Sequence, residues 1–134
     1  KVTIYSTSPE MSRKAMVYYL DMSFGDREGL ITSKNPETCT PEQAAFFKEM
    51  FTGADYKENY AILNNYVRSL DDNIPPFIHL YIGLSPTMKT FGTTFDPDFG
   101  DCYDTAMMIT AHDLYPEKFE RYMGSYERCK EYKK

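Results

Sequence analysis

Four aspartates, Asp96, Asp98, Asp101 and Asp104, crowd the turn between two apolar stretches. A group of carboxylates suits a cationic ligand, and a partly desolvated member could take up a proton near neutral pH. Asp104 is the candidate base among them, and Asp96, Asp98 and Asp101 are candidate binders. His112 ends the apolar run 107–111 and stands beside Asp113. A strand-end imidazole next to an acid is the better general-base candidate of the two histidines. His79 lies between Phe77 and Tyr81 and reads as a packed or surface histidine. Ser85, Thr87 and Lys89 could meet a carboxylate or a phosphate. All these residue types also do plainer work: aspartates form turns, and hydroxyls cap helix ends. Asp96-x-Asp98 starts like a calcium loop, but Gly100 and Met107 stand where the third and last ligands belong. Cys39, Cys102 and Cys129 are odd in number and far apart. They make neither a disulfide framework nor a zinc site and read as reduced thiols of a cytoplasmic protein.

The elements that must position these groups follow from the hydrophobic pattern. Val2-Thr3-Ile4-Tyr5 alternates and predicts a strand. Ser8 as N-cap and Pro9 at the first helical position open a helix. Met11, Ala15, Met16, Tyr19, Leu20 and Phe24 give it one apolar face, and Gly25 ends it. Residues 26–38 read as a long connection, with a short apolar turn at Leu30-Ile31. Thr40 and Gln43 have capping-box spacing. Ala44, Phe47 and Phe51 face one way along the helix they start, and Gly53 stops it. Asp55 and Glu58 repeat the pattern for a helix that buries Tyr60, Ile62, Leu63, Tyr66, Val67 and Leu70. Asn73-Ile74-Pro75-Pro76 breaks it, because residues before proline avoid the α region. A further helix is expected over 76–84. Strands over 89–95 and 103–111 form a hairpin across the acidic turn. Pro116 opens a last helix with Phe119, Tyr122 and Tyr126 on its apolar side. Met50, Met88, Met107 and Met108 read as fillers of irregular core space.

This is an α+β pattern within a single domain over 1–134, with few strands and several helices. The chain of 134 residues is long enough to bury a core. Its net charge of -5 argues against nucleic acid as a partner. The cations Arg121, Arg128, Lys130, Lys133 and Lys134 suit the last turns of a helix. No apolar run approaches the roughly 20 residues that span a bilayer. Twelve tyrosines, with apolar bodies and polar tips, suit a partly wet groove as well as a core.

The pieces in 74–104 also stand in a telling order. Pro75-Pro76 leads a helix into Tyr81-Ile82-Gly83-Leu84-Ser85. Gly92 sits in a strand, Asp96-Pro97-Asp98-Phe99 makes a turn, and Asp104 leads an apolar strand. This resembles the C-terminal part of the GNAT-like N-acyltransferases that make aminoacyl lipids, including ornithine- and glycine-lipid enzymes and their hemolysin-like relatives. Val2-Thr3-Ile4-Tyr5-Ser6, Ser12-Arg13, Tyr18-Tyr19-Leu20, Phe24-Gly25 and Arg121-Tyr122 follow the same order.

The resemblance implies a GNAT-like fold. It implies transfer of a fatty or 3-hydroxyacyl group from acyl carrier protein to the amine of an amino acid, in aminoacyl-lipid synthesis. For that chemistry Tyr81 and Ser85 with Asp96, Asp98 and Asp101 are the candidate substrate contacts, and Asp104 and His112 the candidate catalytic groups. No tightly bound cofactor is expected, with acyl carrier protein or a CoA thioester as donor. The donor's phosphate grip, an Arg/Gln-x-x-Gly-x-Gly/Ala turn, is not found in this sequence. The chain is therefore expected to be the C-terminal portion of a larger acyltransferase, shaping the acceptor and acyl site and turning over poorly alone. A cytoplasmic location is expected, with peripheral contact to the inner membrane. The alternative is a non-catalytic α+β binding or protein-interaction module.

Overall fold

The computed structural model describes residues 1–125. Tyr126, Arg128, Cys129, Lys130, Lys133 and Lys134 lie outside the described residues. The elements run β1 (Val2–Ile4), α1 (Glu10–Phe24), β2 (Pro36–Glu37), α2 (Pro41–Met50), α3 (Tyr56–Ser69), α4 (Pro76–Ile82), β3 (Lys89–Asp96), β4 (Cys102–Met108) and α5 (Pro116–Met123). A 3-10 turn, Ala111–Asp113, precedes α5. The architecture is α+β. The sheet has the order β1-β4-β3-β2, and every pairing is antiparallel.

The helices form where the sequence supplies start signals. Gln43 N donates to Thr40 Oγ1 at 3.2 Å, and Thr40 N donates to Gln43 Oε1 at 3.0 Å, a complete capping box at α2. Glu58 N donates to Asp55 Oδ1 at 2.9 Å at the head of α3. Glu58 Oε2 in turn accepts from Ala54 N at 2.7 Å, one residue earlier than a capping box requires. Ser8 does not cap α1; Pro9 holds the N-cap position with no side-chain bond. α2 ends at Met50, before Gly53, which instead donates its N–H to buried Asn59 at 2.8 Å.

α1 is the central helix. It packs on β3 and on both α2 and α3. Its residues Ala15, Met16, Tyr19 and Leu20 join Val2 and Ile4 of β1, Phe47 of α2, Leu63 and Val67 of α3, and Ile78 and Ile82 of α4 in one core. Tyr19 is sealed in this core and donates its hydroxyl to Tyr56 O at 2.9 Å. Burial pushes its phenol well above the usual tyrosine range.

Three sequence expectations are corrected. The connection 26–38 carries a short strand, β2, so the sheet has four strands among the described residues rather than three. β4 stops at Met108 instead of running to Ala111, because the chain turns into the 3-10 segment. Met108 is exposed rather than a core filler, and Leu30 and Ile31 also face solvent.

One irregularity in β3 decides which way its threonines point. Thr90 faces Met107 and Thr93 faces Thr105, so three steps along β3 match two along β4. That is a β-bulge of one extra residue. Gly92 occupies it at φ 82°, where only glycine is unstrained.

Candidate functional site

The hairpin acids are held by their own turn. Asp98 N donates to Asp96 Oδ1 at 3.1 Å. Asp101 itself takes φ 53°, next to Gly100 at φ 67°. Such bonds and angles are what Asp and Gly supply to tight turns. Asp104 lies within β4, where Lys1 Nζ reaches Oδ2 at 2.8 Å and Thr3 Oγ1 donates to Oδ1 at 2.6 Å. Desolvation pushes its carboxyl up, but the ammonium and the hydroxyl outweigh it and hold it below the usual range. A base acting near neutral pH needs the opposite shift.

The remaining sequence candidates lie elsewhere. His112 is exposed in the 3-10 turn, four residues past the end of β4. About 13 Å of strand separates Asp104 from Met108, and Asp113 beside His112 is bonded to Thr87 past the end of α4. Ser85 is buried. Its hydroxyl accepts from Thr87 N at 3.1 Å, and Thr87 Oγ1 donates to Asp113 at 2.6 Å. These bonds tie the end of α4 to the 3-10 turn. Tyr81 is half-buried, with its ring stacked on Phe77 at 5.9 Å. His79 is a surface residue 5.3 Å from the Tyr60 ring.

A different set of groups does converge. A cleft of about 310 Å³ opens between α1, the β2 segment and the bulged part of β3. Leu20 and Asp21 of α1, Glu37 and Cys39 beside β2, and Thr93 and Thr105 of the sheet stand in its wall. The bulge explains the wall. Side chains alternate faces along a strand, so Thr90 and Thr93, three residues apart, would normally point oppositely. The extra residue turns both into this cleft. Thr93 and Thr105 then bond hydroxyl to hydroxyl at 2.6 Å, both buried. Asp104, next to Thr105 on the strand, points to the other face of the sheet, with Thr94 and Lys34 near it.

The charges at the cleft are built in. Glu37 Oε1 lies 2.6 Å from Lys14 Nζ and 3.3 Å from Arg13 Nε. All three side chains are nearly sealed, at 11–13% exposure. Lys14 Nζ also donates to the carbonyl of Thr38, and the Arg13 guanidinium covers the Tyr103 ring at 4.2 Å. Cys39 donates its thiol to Lys14 O at 3.6 Å, and burial pushes that thiol up, away from a reactive thiolate. Asp21 is the exposed acid of the rim, 3.5 Å from Arg27. The arrangement offers one exposed carboxylate, Asp21, to an ammonium group and buried hydroxyls to a polar ligand. Among the described residues no cluster of three or more His, Cys, Asp or Glu could hold a metal.

Asp21, Glu37, Thr93 and Thr105 were not singled out by sequence. One signal was present: Gly92 inside the strand run Thr90-Phe91-Gly92-Thr93 marks a bulge or a close approach. Glu37 carried none, because a two-residue strand leaves no periodicity.

No protein-family model matches the chain, and no solved structure does. Two curated proteins do. The chain is 35% identical over 126 residues to Glycine N(alpha)-acyltransferase of Phocaeicola vulgatus, and 36% identical over 129 residues to the protein of that name from Bacteroides thetaiotaomicron. Each match covers 94% of this chain but only 38% and 37% of the relative. The resemblance to N-acyltransferases is thereby borne out: over nearly all of its own length, this chain is a relative of part of these acyltransferases.

Proposed function

We propose that this chain is the acceptor side of an N-acyltransferase, and that the cleft between α1 and β3 receives the acceptor amine. The observation that carries the reading is the similarity to two glycine acyltransferases over 94% of the chain. The cleft supplies the chemistry an amino-acid acceptor needs. Asp21, the exposed acid of the rim, attracts its ammonium, while Thr93 and Thr105 offer hydroxyl contacts and Glu37 shapes the wall. Arg13 and Lys14 stand behind Glu37 and fix its orientation.

In the reaction, the ammonium loses a proton and the amine nitrogen attacks the thioester carbonyl carbon. The C–N bond forms, the C–S bond breaks, and the thiolate leaving group takes a proton. Holding the amine against the carbonyl supplies much of the rate. The donor is a fatty or 3-hydroxyacyl thioester of acyl carrier protein or CoA. The acceptor is the amine of an amino acid, glycine first, and the product is an aminoacyl lipid. In this reading the fold is GNAT-like, the chain is the C-terminal portion of the enzyme, and the donor grip lies outside it. β1 is a sheet edge, a ready template for a further strand. The whole enzyme works on the cytoplasmic side with peripheral membrane contact. No helix among the described residues is long and apolar enough to cross a membrane.

The test is acyl transfer from acyl carrier protein and CoA thioesters to a panel of amino acids. It is run on this chain and on the chain extended upstream in its parent gene. Transfer to glycine by the extended form, weakened by changes at the cleft, supports the reading. No transfer by either form refutes it and leaves a binding module.

A further inference from the structure

A second concavity, sharing no wall residue with the acceptor cleft, lies beside α4. This short helix buries Ile78 and Ile82 and leaves Phe77 and Leu80 exposed. On one side of Leu80 is an open pocket of about 370 Å³, walled by Tyr81, Leu84, Ile109, Leu114, Tyr122 and Met123. Nearly all of that wall is hydrocarbon. On the other side of Leu80 a pocket of about 330 Å³ is walled by Tyr56, Tyr60 and His79, with Lys57 and Lys118 at its rim. Leu80 lines both, so the two pockets adjoin across its exposed side chain, one apolar and one carrying polar groups, and together make up a groove. Each half has the size of a small-molecule pocket, which spans roughly 300–1,000 Å³.

The groove exists because β4 ends at Met108. Among the described residues no strand covers Ile109 and Leu114 past the end of β4, and α4 and α5 both wall the pocket between them. Two lysines gather at one end although the chain carries a net charge of -5. That local reversal of sign complements an anionic head, while the far end accepts only an apolar tail.

We infer that this groove binds a long acyl chain, its tail between Tyr81, Ile109 and Tyr122 and its anionic head at Lys57 and Lys118. The assignment rests on the acyl-transfer reading of the chain and names where the acyl group lies. The head chemistry, a carboxylate or a phosphate, fits both an acylated amino acid or fatty acid and an acyl thioester carrying phosphate. Apolar burial then makes affinity rise with tail length, by up to about fourfold per methylene.

The experiment is displacement of a fluorescent polyene fatty acid from the 134-residue chain. Competitors are saturated fatty acids of increasing length, the matching fatty alcohols, N-acylglycines and acyl-CoA thioesters. Leu80→Asp is the main variant, and its exposed position keeps the core intact, which the urea midpoint checks. Lys118→Glu is the second. Binding that strengthens with tail length and falls at least tenfold in Leu80→Asp supports the assignment. Lys118→Glu should weaken the acids several-fold and leave the alcohols unchanged. Preference for acylglycines over acyl-CoA would assign the head site to a carboxylate, and the reverse to phosphate. Binding without length dependence, or untouched by Leu80→Asp, overturns the inference. So does self-association through this face with no fatty-acid binding. Lost binding alongside intact transfer by the extended protein removes the groove and leaves the proposed function. Intact binding with no transfer does the reverse.

Discussion

Glu37→Gln should be strongly destabilising, although it changes little in size and sits in a two-residue strand. The carboxylate is the partner of two cations, Lys14 at 2.6 Å and Arg13 at 3.3 Å. All three side chains are almost out of water, so the cations cannot simply turn to solvent. Removing one member of a buried pair costs about 3–5 kcal/mol, because it leaves uncompensated charge. The lower end applies here, since Lys14 keeps the Thr38 carbonyl and Arg13 keeps the Tyr103 ring. A loss of about 3 kcal/mol corresponds to a fall in melting temperature of roughly 10 °C for a chain of this size. The assay is urea unfolding at neutral pH, followed by far-UV circular dichroism. A triple variant, Glu37→Met with Lys14→Met and Arg13→Met, should recover much of the loss, because hydrocarbon replaces the whole ionic cluster. A loss below about 0.5 kcal/mol for Glu37→Gln is the range of an ordinary surface change. It would refute the placement of a sealed ionic cluster behind the cleft.

Other expectations rest on single contacts. Thr40→Ala removes the capping box of α2 and should cost about 1 kcal/mol in the same urea assay. Phe47→Ala, at a fully buried ring packed against Tyr18 and Phe51, should cost about 3–5 kcal/mol. Asp104 is desolvated yet held below the usual carboxylate range by Lys1 and Thr3. Its folded value lies below its unfolded value, so its stabilisation is complete above the unfolded pKa and is lost as pH falls through the folded one. Asp104→Asn should therefore be less stable than the wild type at neutral pH and equal to it well below pH ~4, as urea midpoints at the two pH values would show.

Much of the scaffold was legible because its signals are local. Thr40 with Gln43, Asp55 with Glu58, Pro76 and Pro116 each mark a helix start that forms. The hairpin of β3 and β4 was legible as two strand-like runs joined by the acidic turn 96–101. What was not legible depends on contacts between distant residues. Glu37 matters only because α1 brings Lys14 and Arg13 to it. Thr93 faces the cleft only because the bulge at Gly92 reverses its side. The acidic hairpin drew attention as a site, yet Asp96 and Asp101 hold the turn and Asp104 faces away from the cleft. Composition cannot tell a carboxylate that binds a ligand from one that binds its own backbone.

Asp21→Asn in the upstream-extended protein tests the acceptor cleft most directly. Asp21 is exposed and paired only loosely with Arg27 at 3.5 Å, so its loss should leave the fold intact. Steady-state transfer would be measured while varying the amino acid and the acyl donor separately. If the cleft binds the acceptor, KM for glycine rises about tenfold, as expected for one lost charge-assisted contact, and KM for the donor does not move. An unchanged KM for glycine, or a rise only for the donor, would contradict the assignment of this cleft to the acceptor amine.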